Sequence, residues 1–504
     1  MKGKGLLTLL SNICLILMLM ALLFIAACAG PAVAAPLAPG EKPAEVIPLE
    51  MLPAETPEVI ALRKAIEAEV DALSTRMFEM NDWMYYNPES GYMEFEATKM
   101  TAAELEKHEF VVKFGVEGLP EGYNALIEAR FNAGGLPTAY VAKYKGKSEH
   151  PVICFVTEHD ALRGTPTPFQ GCKHNMQAPV ALGAAIALSK VMEENNLPGS
   201  VWVVATPAEE IPPPDKSAMA RAGVFDEVDF VFKSHGVDTT VSQSKAGVSN
   251  CCRLINATLY DFIGKAVSSN TPGTPGWEGD ALDAARIFLD MVDALRAHTD
   301  PKFTLQGTVS DIPQAVNVVQ DFARVDYWIR NPDRAGQKDL DALHERIDTV
   351  ARAAAMGTFC KVNIQHYADY YNGVSSAWGN ALAWSYIKFY GDAEAILDEI
   401  GEISSSFDEA GYAGLNTPGL RMEAAQVGVP ETPGHSHEAA DQTITPEAHE
   451  ALVKMAKMGA AAALRLVVDP ELLAKITAEH KEWIAYALAE GLITEDMIRD
   501  KWRK

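Results

Sequence analysis

Cysteine is scarce in this chain. There are seven in 504 residues, and no two are spaced C-x-x-C, which excludes a disulfide scaffold and the common dithiol and structural zinc motifs. Basic charge is short as well, with 43 Lys and Arg against 68 Asp and Glu and a formal charge of -25. Such a surface repels phosphate backbones, so no nucleic-acid partner is expected. No repeat of fixed period is visible, which sets aside solenoids and propellers. What is there is globular in composition, 48% hydrophobic and 22% charged.

The amino terminus speaks about place. Lys2 and Lys4 precede an apolar run over 6–27 broken only by Thr8, Ser11 and Asn12, the pattern of an export signal. The run closes on Ile25, Ala26, Ala27 and Cys28, which resembles the bacterial lipobox. That resemblance implies a signal peptide over 1–27, a lipid anchor at Cys28 and a periplasmic or cell-surface lipoprotein. An uncleaved span, or ordinary cleavage near 32–34, are the alternatives. A Pro- and Ala-rich stretch over 28–56 reads as a tether.

Beyond it, apolar residues recur at three and four from Ile60 through Met80, giving an amphipathic helix over 58–86. Strand-type runs at 125–130, 139–144 and 152–156, a helix over 178–194 and strands at 201–206 and 228–232 argue an α/β sheet. The texture then changes. Strand-like 253–262, a helix over 280–297, strand-like 315–329, a helix over 340–355 and a strand at 359–366 have the element order of a ferredoxin-like α+β insert. Helices return over 376–390 and 447–467, and 470–504 reads as two short surface helices. The domain reading is a catalytic part over 57–251, an insert over 252–369, a second catalytic part over 370–469 and a helical tail.

Four edges offer metal-ligand chemistry. Glu158, His159 and Asp160 follow an apolar strand, and Cys172 and His174 sit two apart on the next loop, each able to ligate a borderline divalent ion. Taken alone, C-x-H is more often a buried thiol beside a surface histidine. Glu209 and Glu210 end another buried strand with diverging side chains, so one can ligate while its neighbour faces a water; adjacent glutamates are also common on surfaces. His235 follows a third strand, and His435 and His437 lie in a Pro/Gly loop before a helix. Each is weak by itself, but four successive edges with such donors are hard to ascribe to core packing.

Together these residues resemble the dinuclear metallohydrolase family of aminoacylases, auxin-conjugate amidohydrolases and aminobenzoyl-glutamate hydrolases, the last group most of all. Glu158-His159-Asp160-Ala161-Leu162 matches its E-[YF]-D-A-L signature, Cys172-Lys173-His174-Asn175 its C-G-H-N, Pro207-Ala208-Glu209-Glu210 its P-[GA]-E-E and His435-Ser436 its H-[ST]. The likeness spans roughly 57–469. It implies a mixed-sheet catalytic domain of zinc-peptidase type with an inserted ferredoxin-like dimerisation domain. It also implies two divalent ions, zinc or manganese with cobalt possible, held by Cys172, His174, Glu210, His235 and His435. Glu209 is then the general base and Asp160 an orienting residue, with Ser268, Asn317 and Arg330 on the insert as substrate-binding candidates. The implied activity is hydrolysis of N-acyl or N-aroyl amino acids by a homodimer.

Three departures stand against the pattern. Lys173 replaces a glycine, and its long side chain is expected to reach solvent. Ile211 is followed by three prolines where the family has glycines, which stiffens the loop. Ser268 stands where the family's insert carries a histidine that helps to bind the reacting carbonyl, so that stabilisation must be weaker or come from elsewhere. A dipeptidase or carboxypeptidase, and a non-catalytic binding lipoprotein on the same fold, are the competing readings.

Overall fold

A computed structural model of the chain describes residues 42–44, 46–211, 215–235, 247–249, 254–269, 279–331, 337–370, 376–390, 411–423 and 432–503. The signal segment, Cys28, most of the tether, the prolines at 212–214 and Cys251 with Cys252 lie outside the described residues. Among the described residues no helix is long and apolar enough to cross a membrane.

The first long helix is Pro57–Tyr86. Thr56 caps it by accepting from the Val59 amide, and Pro57 supplies a preset first turn. Its stripe of Leu62, Ile66, Val70, Met77, Met80 and Met84 is buried against helices Gln177–Glu194 and Pro446–Val468. These helices cover one face of a seven-stranded sheet. Its strands are β1 (Val111–Phe114), β2 (Tyr140–Lys145), β3 (Val152–Thr157), β4 (Ser200–Ala205), β5 (Phe230–Ser234), β6 (Gly247–Ser249) and, much later, β11 (Gly419–Glu423). The order across the sheet is β1-β2-β4-β3-β5-β11-β6. The central four, β4, β3, β5 and β11, run parallel, and the outer strands pair antiparallel. β3 and β4 are buried along their whole length, as continuous apolar strands between two covered faces must be.

Residues between β6 and β11 build a second sheet. β7 (Leu254–Ile263), β8 (Thr304–Asp311), β9 (Phe322–Asn331) and β10 (Lys361–Tyr370) pair antiparallel in the order β10-β7-β9-β8. Helix Ala281–Arg296, capped by Asp280, and helix Gln337–Gly357 close its core around Phe262, Phe288, Val325 and Ile347. The βαββαβ order of the insert agrees with the sequence pattern.

Several local expectations give way. The apolar run at 125–130 lies in helix Glu121–Phe131, not in a strand. Glu, Ala, Leu and Arg all favour helix there, only Ile127 is buried, and Asn132 closes the turn at φ 54. The edge strand is instead β1. In the insert, strand pairing begins at Phe322, and β8 lies in a stretch with no clean alternation. The tail is one long helix, Pro470–Ala489, with short pieces after it, and it is docked rather than superficial: Trp483, Ile484, Met497 and Ile498 pack on Leu415. The end of the supposed tether is also held. Glu55 pairs with Arg63 at 3.0 Å and accepts from Tyr386, and Arg465 donates to the Pro53 carbonyl.

Candidate metal centre

Three parallel strands end side by side, at Thr157, Ala205 and Ser234, and the chain emerges from their carboxyl ends carrying 158–160, 209–210 and 235. This edge of an open α/β sheet is where sites form. Two more segments reach it. The turn ahead of helix Gln177–Glu194 supplies Cys172 and His174, and the His435 amide donates to the Gly171 carbonyl at 3.2 Å, joining its loop to that turn. Lys173, Ala208 and His435 all have left-handed backbones, at φ 65, 59 and 58. Strain of this kind, held by the surroundings, is common beside functional groups.

The donors converge in two overlapping triads. Cys172, His174 and His235 form one, and Cys172, Glu210 and His435 the other, with the ligand atoms of each within 4.8 Å of one another. Cys172 Sγ lies 3.6 Å from His235 Nε2, and His435 Nε2 lies 3.8 Å from Glu210 Oε1. His437 faces elsewhere, stacked on Phe169 with ring centroids 4.0 Å apart.

Asp160 does two jobs at once. Its Oδ1 accepts from His174 Nδ1 at 3.0 Å, and its Oδ2 accepts from the Glu210 amide at 2.9 Å. The first bond turns His174 Nε2 toward carboxylates: Glu158 at 3.3 Å, Glu209 at 3.8 Å and Glu210 at 3.9 Å. Burial opposes charge on His174, but Glu158, Asp160 and Glu210 raise it to about 9. Burial and then Glu209 push Glu210 up to about 8, and burial, Glu210 and Glu209 push the Cys172 thiol well above its ordinary value. Glu210 Oε1 is buried with no hydrogen-bond partner. Thiol, imidazoles and crowded carboxylates thus form a donor set that fits divalent cations, whose charge reverses these shifts.

Sequence reasoning passed over the group beneath this cluster. Glu158 is fully buried, and its Oε1 receives Lys233 Nζ at 2.6 Å and also Lys216, while Oε2 accepts from Gln177 at 2.7 Å. Burial alone would raise its pKa, but Lys216 and Lys233 hold it well below the carboxylate range. Glu94, also buried, accepts from the Ala208 amide at 2.8 Å and from Thr138, which fixes the left-handed turn ahead of Glu209. Glu158 is singled out in the sequence as the first acid of the E-x-D run but without its lysine partners; Glu94 sits in no pattern. Lys173 corrects an expectation. It is 3% exposed and does not reach solvent. Its left-handed backbone is one that glycine adopts without strain, in keeping with the glycine of the C-G-H-N pattern.

The substrate-binding candidates lie on the insert. Ser268 bridges Val318, Ser269 donates to the Asn317 carbonyl, and Arg330 on β9 holds its guanidinium over Trp328, 5.2 Å from the ring centre.

The family model described as peptidase family M20/M25/M40 matches residues 162–465, more than half of the chain. The chain belongs to this family. Similar proteins include the Xaa-Arg dipeptidase of Mus musculus, 28% identical over 68% of this chain and 72% of that one. One of the p-aminobenzoyl-glutamate hydrolase subunits of Escherichia coli is 28% identical over 58% of each chain, so the match spans under two thirds of that relative. Among solved structures, a putative aminohydrolase from Staphylococcus aureus aligns with a TM-score of 0.55 at 17% identity, covering 80% of this chain and all of that one. A dinuclear metal-binding M20 peptidase of Bacillus subtilis aligns at 0.50 and 19%, covering 79% and 99%. The M20 chain is therefore a hydrolase of the peptidase and amidohydrolase type, and the binding-lipoprotein reading has no support from its relatives.

Proposed function

We propose that this M20 hydrolase cleaves the amide bond of N-acyl or N-aroyl amino acids of the aminobenzoyl-glutamate kind. The two donor triads that share Cys172 support the reading, since they provide for two neighbouring ions, with His174 and His235 on one side and Glu210 and His435 on the other. When bound, two such cations lower the pKa of water and polarise a carbonyl. Glu209, 9% exposed and beside Glu210, whose backbone Asp160 fixes, takes the proton of the attacking water and returns it to the departing amine as the C–N bond breaks. Asp160 keeps His174 in one tautomer, and the buried ion pairs of Glu158 with Lys216 and Lys233 lie beneath the site.

Ser268, Asn317 and Arg330 are proposed to meet the substrate from the insert, which pairs two chains as a homodimer. Zinc or manganese is the proposed metal. Export with a lipid anchor at Cys28 rests on the sequence of the first 28 residues; labelling with a radioactive fatty acid that is lost in Cys28→Ser is the test.

The decisive experiment reconstitutes the purified protein with zinc, manganese or cobalt and measures hydrolysis of N-acyl amino acids, aminobenzoyl-glutamate and dipeptides. Faster turnover of the acyl conjugates is expected. Activity confined to dipeptides moves the reading to a dipeptidase, in line with the mouse relative, and no hydrolysis with any metal overturns it.

A further inference from the structure

The insert carries a second cluster of metal-ligand side chains, far along the chain from the strand edge. His344 and Asp348 stand one turn apart on helix Gln337–Gly357, and His366 stands on β10 directly opposite Thr258 of β7. Their donor atoms lie within 4.8 Å of one another. His344 Nε2 is 3.9 Å from Asp348 Oδ1, and His366 Nε2 is 3.4 Å from Asp348 Oδ2. Ligands each about 2.1 Å from a tetrahedral zinc-sized ion stand about 3.4 Å apart, so small rotations suffice to place all three on one ion.

The surroundings of these residues are those of ligands. The Tyr260 hydroxyl donates to Asp348 Oδ1 at 2.8 Å and Arg352 Nη2 to Asp348 Oδ2 at 3.4 Å, while Thr258 Oγ1 lies 2.9 Å from His366 Nδ1 and 2.6 Å from His344 Nε2, the second a contact that an ion displaces. Asn256 Nδ2 donates to Asp341 Oδ1 at 3.2 Å and meets His344 Nδ1 at 3.2 Å. Asn256 is 3% exposed, yet its Oδ1 has no hydrogen-bond partner, which a closed structural network would not leave. Burial and then His366 lower His344 to about 4. Burial pushes Asp348 the other way, but His366 and Tyr260 lower it. The β10 ladder shifts register between His366 and Ala368, a bulge of the kind that re-aims a side chain. An approach is open as well, since the His366 side chain is 46% exposed where those of His344 and Asp348 are 12% and 11%.

We propose that His344, Asp348 and His366 bind one borderline divalent ion of the zinc, cobalt or nickel class, clamping helix Gln337–Gly357 to β7 and β10. Two imidazoles and a single carboxylate select against magnesium and calcium, which want oxygen ligands throughout.

The test strips the full-length protein with a chelator and titrates it with cobalt. His344→Asn and His366→Gln each bind one ion fewer per chain than wild type, with unchanged circular dichroism and an unchanged thiolate-to-cobalt absorption band, which belongs to Cys172. Cys172→Ser loses that band and keeps the insert's ion, so failure of the Cys172 assignment and failure of this proposal are read separately. Tyr260→Phe weakens the insert's ion about tenfold. Unchanged stoichiometry in both histidine variants overturns the proposal and leaves a hydrogen-bonded chain. Should neither variant fold, paramagnetic broadening by cobalt of the His344 and His366 ring signals in wild type answers the same question, and sharp signals overturn it.

Discussion

The two sheets of this molecule gather histidines and carboxylates by opposite means. At the edge of the seven-stranded sheet the donors come from separated segments, each delivered by the end of a strand or a tight turn, and no two of the triad members except Cys172 and His174 are near in sequence. In the insert one helical turn and one ladder pair suffice. The difference is one of charge. The first cluster crowds Glu158, Asp160, Glu209 and Glu210 around His174 and balances them with buried lysines, whereas the second has one carboxylate among its donors, held by the Tyr260 hydroxyl and by the exposed Arg352 guanidinium. Dense buried charge of one sign is a device for cations and water chemistry; a nearly neutral cluster is a device for holding parts together.

The largest effect expected from that contrast is on turnover. Glu209→Gln keeps the fold and the ions but cannot accept a proton, so kcat falls by about a thousandfold. Loss of metal in place of rate shows that Glu209 and Glu210 have exchanged roles. The next effect is on stability. Glu158→Gln leaves Lys216 and Lys233 buried without their carboxylate, and urea unfolding should show a loss of about 3 kcal/mol. An unchanged midpoint means the lysines reach other partners. A smaller effect separates neighbours in one loop. His435→Ala weakens metal binding by about a hundredfold, since even partners of ligands are worth ten to a hundred, while His437→Ala, which only unstacks Phe169, leaves affinity as it was. The reverse result moves the ligand to His437.

What could be read from the sequence follows the same division. Cys172, His174, Glu209, Glu210, His235 and His435 were legible because loops at strand ends carry their chemistry in short local patterns, and the structure brings them together. The insert's two helices and its ferredoxin-like class were legible from the change of texture along the chain, but β8 was not placed. Asp160 was legible as a residue that orients, though not that it holds His174 and Glu210 together. The role of Glu158 was hidden because its lysines come from two other segments, and Glu94 because its partners Thr138 and Ala208 are distant in the chain. His344 and His366 were hidden for a different reason: a helix with charged residues all along it reads as a solvated face, and only the fold brings His344 on that helix beside His366 on β10. The 125–130 run was misread because a short apolar stretch fits either period, and burial of Ile127 alone decides it.

The smallest prediction concerns a third way of keeping a buried carboxylate. Glu479, on the docked tail helix, is held by donors that carry no charge; it accepts from the Ala377 amide at 3.0 Å, the Ser376 hydroxyl at 3.2 Å and the Trp378 amide at 3.4 Å, capping helix Ala377–Tyr390 from outside. Burial, against those donors, raises it from 4.5 to about 8. A carboxyl raised on folding holds its proton longer in the folded chain, so the stability it contributes is complete below its unfolded value and is lost as pH rises through the folded one. Glu479→Gln has nothing to titrate and offers one acceptor in place of two. At pH 5 the variant should be weaker by about 1 kcal/mol through the poorer cap, and by pH 9 wild type should have lost that lead. A gap that stays constant or widens across this range means the first-turn amides of the Ala377–Tyr390 helix keep the carboxylate ionised without a cation, which removes the contrast drawn between the tail and the lysine-balanced strand edge.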